Sequence, residues 1–192
     1  LIQIQTYIAK TNSLDEYYEN LEEPSQFFIN KDHDTGLKVL DKMLNENKGS
    51  FLNGTIFISI EGAEVVTFID WDDLDLMWPA LLTMVLDFLN DGKYARTEHF
   101  SNGQQWTIRK VTSSPKDMIL FKVVRDYSIF EFGLNNLTVN KETSALCKEG
   151  VFLKSVVDAA QDYIDYRDKD SRSQNLVDAK QKLRKIKERM IN

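Results

Sequence analysis

The chain has 192 residues, 42% of them hydrophobic, with eleven Phe, seven Tyr and three Trp. That is enough apolar material for a packed core and argues against wholesale disorder. The formal charge of −6 is unevenly spread: residues 1–92 hold 17 acids against five lysines and no arginine, whereas residues 176–192 hold six basic and two acidic side chains. So acidic a body argues against a nucleic-acid binder, which needs concentrated Lys and Arg for phosphates.

In chain order, residues 1–9 alternate Ile2, Ile4, Thr6 and Ile8 against Gln3, Gln5 and Tyr7, the pattern of a half-buried strand. "NSLDEYYENLEEPSQFF" reads as a short helix, with Ser13 as its cap and Pro24 as its stop. "DTGLKVLDKMLNENKG" reads as a second helix with Leu37, Leu40 and Leu44 on one side, ended at Asn47-Lys48-Gly49. The period then changes to two apolar runs, "GTIFISI" and "EVVTFI", around Glu61-Gly62, which predicts a hairpin. A helix through "WPALLTMVLDFLNDG" follows, starting near Leu76–Trp78 and stopping at Gly92.

A meander comes next. "KYARTEHF" and "QQWTIRKV" flank Ser101-Asn102-Gly103, and Asn-Gly is a strong hairpin signal. "MILFKVV" and "YSIFEFGL" flank Arg125-Asp126. A long helix is expected over residues 141–166, capped by Asn140, with Phe152, Val156, Ala160 and Tyr163 as its apolar stripe. These elements predict an α+β fold: a mostly antiparallel sheet with helices packed on one face, in a single domain over residues 1–166. Residues 167–175 read as a charged linker. Residues 176–192 read as a basic amphipathic helix whose Leu176, Ala179, Leu183, Ile186 and Met190 repeat at 3-4-3-4 spacing.

The segment "FIDWDDLDLMWPALL" places Asp70, Asp72, Asp73 and Asp75 within six residues, beside Trp71 and Trp78. A calcium loop would need a Gly at its sixth position and a bidentate Glu at its twelfth. Counted from Asp70 these positions are Asp75 and Leu81, so no metal is expected. Asp residues favour helix starts, where their oxygens accept backbone N–H bonds next to the positive end of the dipole. The cluster therefore reads first as helix punctuation. It reads second as a docking edge of Asp70, Trp71, Asp72, Asp73 and Asp75 for a basic partner.

Other candidate groups are sparse. His33 lies between Asp32 and Asp34 in a polar loop, and His99 beside Glu98 on an expected strand. Cys147 falls in a helical pattern and reads as a small core residue. With two His and one Cys, a tetrahedral zinc site of the usual kind is not expected. The single cysteine permits no disulfide within the chain and suits a reducing, cytoplasmic setting. "LIQIQTYIAK" carries no basic leader or signal core, and no apolar run approaches the roughly 18 residues of a membrane span.

The function expected from these features is a non-catalytic protein-binding module without cofactor. Its physical type is that of the immunity proteins which inhibit basic toxins or nucleases. Two other classes compete with it. One is a carboxylate- or metal-dependent hydrolase using Asp70–Asp75. The other is an assembly module self-associating through Leu176, Leu183, Ile186 and Met190.

Overall fold

The structure is a computed structural model. It describes residues 1–12, 17, 23–47, 51–98, 100–101, 103–112, 117–126, 141–169 and 176–191. The chain is α+β, with antiparallel sheets and helices against them, as its periodicities imply.

The strands divide between two sheets. In the first, β1 (Ile2–Ala9) lies between β2 (Phe28–Asn30) and β3 (Asn53–Ile60), and β4 (Ala63–Val66) follows β3. The β3–β4 hairpin turns at Glu61-Gly62 with φ of 51° and 85°. Two successive positive φ values suit the right-handed twist of the strands they join. A two-residue strand, β5 (Asp72–Asp73), pairs with Asn53 and Gly54 of β3. Gly54 permits this crowding, since a Cβ there would sit 2.3 Å from the Tyr7 carbonyl oxygen and 2.5 Å from Leu74 Cδ1.

The second sheet runs in the order β6 (Tyr94–Arg96), β7 (Gln104–Lys110), β8 (Met118–Arg125), β9 (Glu142–Lys148). The last strand corrects the sequence reading. Residues 142–148 pair antiparallel with β8 instead of opening a helix. They alternate, with Glu142, Ser144, Leu146 and Lys148 exposed and Thr143, Ala145 and Cys147 turned inward. Pairing along β8 overrides the helical propensity of "SALCKE". Tyr127–Leu134, expected as a strand, and Asn140, expected as a cap, lie outside the described residues.

Five helices appear among the described residues. α1 (Pro24–Phe27) begins at Pro24, where a helix stop was expected, because proline is tolerated at a first helical position. The expected cap Ser13 lies outside the described residues. α2 (Gly36–Glu46) buries Leu40, Met43 and Leu44, while Leu37 is 45% exposed, contrary to its place in the expected stripe. α3 (Leu74–Asp91) starts earlier than expected and holds Pro79 within it. Gly92 closes it in the left-handed conformation, its N–H reaching the Phe88 carbonyl at 2.7 Å. α4 spans Glu149–Arg167 and α5 spans Val177–Ile191.

One apolar cluster runs through both sheets and around α3, which buries Leu74, Met77, Trp78, Leu81, Leu82, Met84, Val85 and Phe88. α4 contributes Phe152, Val156, Ala160 and Tyr163. Leu176, Ala179, Leu183 and Ile186 of the tail are buried in the same cluster, and Met190 remains exposed. The heptad-like seam is therefore covered by the chain itself, which leaves Leu176, Leu183 and Ile186 no free face for another copy. No helix among the described residues is long and apolar enough to cross a membrane.

Candidate functional site

The acidic segment is built by two successive helix starts. A single 3-10 turn, Phe68–Asp70, is closed by a capping box in which Asp70 Oδ2 accepts from the Thr67 backbone N–H at 2.8 Å. Three residues later Asp73 caps α3, its Oδ1 accepting from the N–H groups of Asp75 at 3.0 Å and Leu52 at 3.1 Å. The punctuation expected of this stretch is present, with two caps in series.

The carboxylates face inward. Asp70, Asp72 and Asp75 are buried, and Asp73 and Trp71 are half-buried. Asp70 takes a two-pronged contact from Arg125 at the end of β8, with Nε and Nη2 each 2.6 Å from a carboxylate oxygen. Arg125 also donates to the Val65 carbonyl at 3.0 Å and to Thr143 Oγ1 at 2.9 Å, and Thr143 donates to the same carbonyl at 2.6 Å. One guanidinium thus joins β4 in the first sheet to β8 and β9 in the second. Gln104 Nε2 donates to the Asp70 carbonyl at 2.7 Å, and its Oε1 accepts from Trp106 Nε1 at 2.7 Å.

Asp75 makes the corresponding link to α4. Arg167 donates from Nη2 to Oδ2 at 2.9 Å, and the Tyr163 hydroxyl donates to Oδ1 at 2.9 Å. Trp78 stacks on the Tyr163 ring at 5.6 Å. Burial, and then the Asp75 charge, hold the Tyr163 hydroxyl well above the usual phenol range. Asp72 accepts from Ser101 Oγ at 2.6 Å and from the Asp73 N–H at 2.7 Å. Burial raises the Asp73 carboxyl above its ordinary value, outweighing the two backbone N–H bonds that lower it.

This geometry corrects the docking edge. Asp70, Asp72 and Asp75 do not form an exposed acidic surface, because their oxygens are turned to Arg125, Ser101, Arg167 and Tyr163. It removes the same carboxylates as a solvent-facing hydrolytic pair. Among the described residues no three His, Cys, Asp or Glu side chains converge as a metal-binding group. The residues that complete the network were not singled out from the sequence. Arg125 looked like a turn residue and Arg167 like the start of a linker. The available signal was compensation: buried aspartates in an arginine-free half need cations from elsewhere.

His33 is exposed, and its Nδ1 accepts from the Thr35 backbone N–H at 3.2 Å. His99 lies outside the described residues. Cys147 is buried on a strand, and burial pushes its thiol up to about 11, the wrong direction for a nucleophile. Trp78 and Trp106 are core residues.

Two of the concavities among the described residues adjoin β1. The first is a cleft of about 650 Å³ whose walls include Tyr7, Phe28, Phe68, Lys10 and His33. Tyr7 meets Phe68 edge-on at 4.8 Å, Phe28 lies 5.4 Å from Phe68, and Trp71 packs against the same cluster. The second is a groove of about 460 Å³ between β1 and α4. No family model, curated protein or solved structure matches this chain.

Proposed function

We propose that this chain is a non-catalytic protein-binding module of the immunity type, which holds a basic protein partner in a reducing, cytoplasmic setting. The observation that carries the reading is the aromatic-walled cleft. Clefts lined by aromatic rings with a few polar groups seat the anchor side chains of partners, and such anchors dominate interface energetics. Here Tyr7, Phe28 and Phe68 supply the rings, and Lys10 and His33 the polar groups. Asp32, ion-paired with Lys31 at 2.5 Å, and Asp34 are exposed on either side of the cleft residue His33, and negative charge there steers a basic partner. Trp71 belongs to this reading as a ring packed against the same aromatic cluster.

The test is affinity capture from the source cell with the wild-type chain and with Asp32→Lys/Asp34→Lys as baits. The expected result is a basic protein captured by the first bait and lost from the second. A hydrolytic activity of the purified chain, or capture of the same partner by both baits, would overturn the reading.

A further inference from the structure

We infer that the groove between β1 and α4 is a strand-addition site for a basic, extended segment of the partner. The inference rests on the protein-binding reading above and supplies a second contact with its own chemistry.

The backbone groups of β1 alternate in direction between its two neighbours. The Glu61 N–H donates to the Leu1 carbonyl, so odd-numbered residues of β1 turn their backbone groups toward β3. Even-numbered residues turn theirs the other way, as the bond from Lys31 N–H to the Thr6 carbonyl confirms. On that side β2 covers only Tyr7–Ala9. The N–H and C=O groups of Ile2 and Ile4 therefore lie along an edge that no described strand covers.

The groove follows that edge. Ile2, Gln3, Ile4 and Gln5 all line it, although successive side chains point to opposite faces of a sheet. What faces the groove is thus the strand's edge. The opposite wall is α4, with Ser155, Asp158, Ala159 and Asp162 along it. An incoming strand would lie in line with β2, hydrogen-bonded to Ile2 and Ile4 and packed against the small side chains of Ser155 and Ala159. This is the geometry by which extended peptides bind between a sheet edge and a helix. Lys31 closes one end, its N–H on Thr6 and its ammonium 2.5 Å from Asp162.

Two further features select the occupant. Proteins blunt free edges with lysine, proline or bulges, yet the open stretch of β1 carries isoleucine and glutamine. The wall is acidic: Asp158 and Asp162 remain 60% and 61% exposed while touching Lys154 and Lys31. A lysine- or arginine-bearing strand complements this wall. A second copy pairing β1 with β1 would bring two acidic walls together, which disfavours self-pairing.

The test uses the 192-residue chain and two synthetic peptides, acetyl-Lys-Val-Lys-Val-Lys-Val-amide and its Glu-Val counterpart, followed by amide chemical shifts and fluorescence anisotropy. Ile4→Pro removes one outward N–H without touching the β1–β3 ladder. Ala159→Arg fills the groove and opposes its charge, so the result does not depend on one variant folding. The Lys-Val peptide is expected to shift Ile2–Gln5 and Ser155–Asp162, and to bind at least tenfold more tightly than the Glu-Val peptide. Each variant that melts like wild type is expected to lose at least tenfold in affinity. Equal binding of both peptides, shifts confined to other residues, undiminished binding by both variants, or dimerisation abolished by Ile4→Pro would overturn the inference. A cellular partner that binds both variants at full strength would overturn it while leaving the protein-binding reading intact. If no such partner exists, the reading itself fails.

Discussion

Arg125 and Asp70, 55 residues apart in sequence, are joined by two 2.6 Å hydrogen bonds, and both side chains are 1% exposed. Removing one partner leaves the other charge buried and uncompensated, at a cost of about 3–5 kcal/mol. Replacing both by apolar groups removes that penalty. Asp70→Leu and Arg125→Met are each expected to destabilise strongly, and the double variant by less than the sum of the two. Urea unfolding of the four proteins measures this. Additive effects would show that the pair is not coupled.

Asp73 gives a prediction with a sign. Its carboxyl is raised in the folded chain from the ordinary 3.8, chiefly by burial. A carboxyl raised by folding contributes stability that is fully present below its unfolded value and lost as pH rises through its folded one. Asp73→Asn keeps an oxygen for the Leu52 and Asp75 N–H groups but carries no charge. It is expected to abolish that pH dependence at little cost at neutral pH. Asp73→Ala loses the cap and should cost about 0.5–2 kcal/mol. Thermal melting of the three proteins at acidic and neutral pH compares them.

The tail helix supports the body. Leu183 is 3% exposed within the common core, whereas Met190 is 39% exposed. Leu183→Ala is expected to cost about 2–5 kcal/mol, and Met190→Ala to stay within about 0.5 kcal/mol of wild type. Sedimentation should show the same oligomeric state for both. A Leu183→Ala protein of unchanged stability but altered mass would place the seam between chains.

Cys147 should resist alkylation. With its thiol pushed up to about 11 by burial, little thiolate exists at pH 8. Iodoacetamide is expected to label the native chain many-fold more slowly than the urea-unfolded chain. Equal rates would mean that β9 opens readily or that the thiol is not buried.

What was legible from the sequence was local. The alternation in Ile2–Ile8, the Glu61-Gly62 turn and the Gly92 stop each rest on a few neighbouring residues, and each appears in the structure. The misreadings share a different cause. "ETSALCK" carries helical propensity but is held extended by its partner β8. The Asp70–Asp75 stretch looked like surface because its cations come from 55 and 92 residues away. Arg125 and Arg167 become recognisable only when the sheets meet. The open edge of β1 was invisible for the same reason: which side of a strand goes unpaired is decided by how far β2 reaches.

The most direct measurement is the association rate of the captured partner at two ionic strengths, for Asp32→Asn/Asp34→Asn and for Asp72→Asn. The exposed acids should steer the encounter, so the first variant is expected to slow association and flatten its salt dependence while melting like wild type. Asp72 is buried on Ser101, so the second variant is expected to lower the melting temperature and leave the rate unchanged. A slowed, salt-insensitive association for Asp72→Asn, with wild-type behaviour of Asp32→Asn/Asp34→Asn, would contradict this and return the acidic segment to the interface.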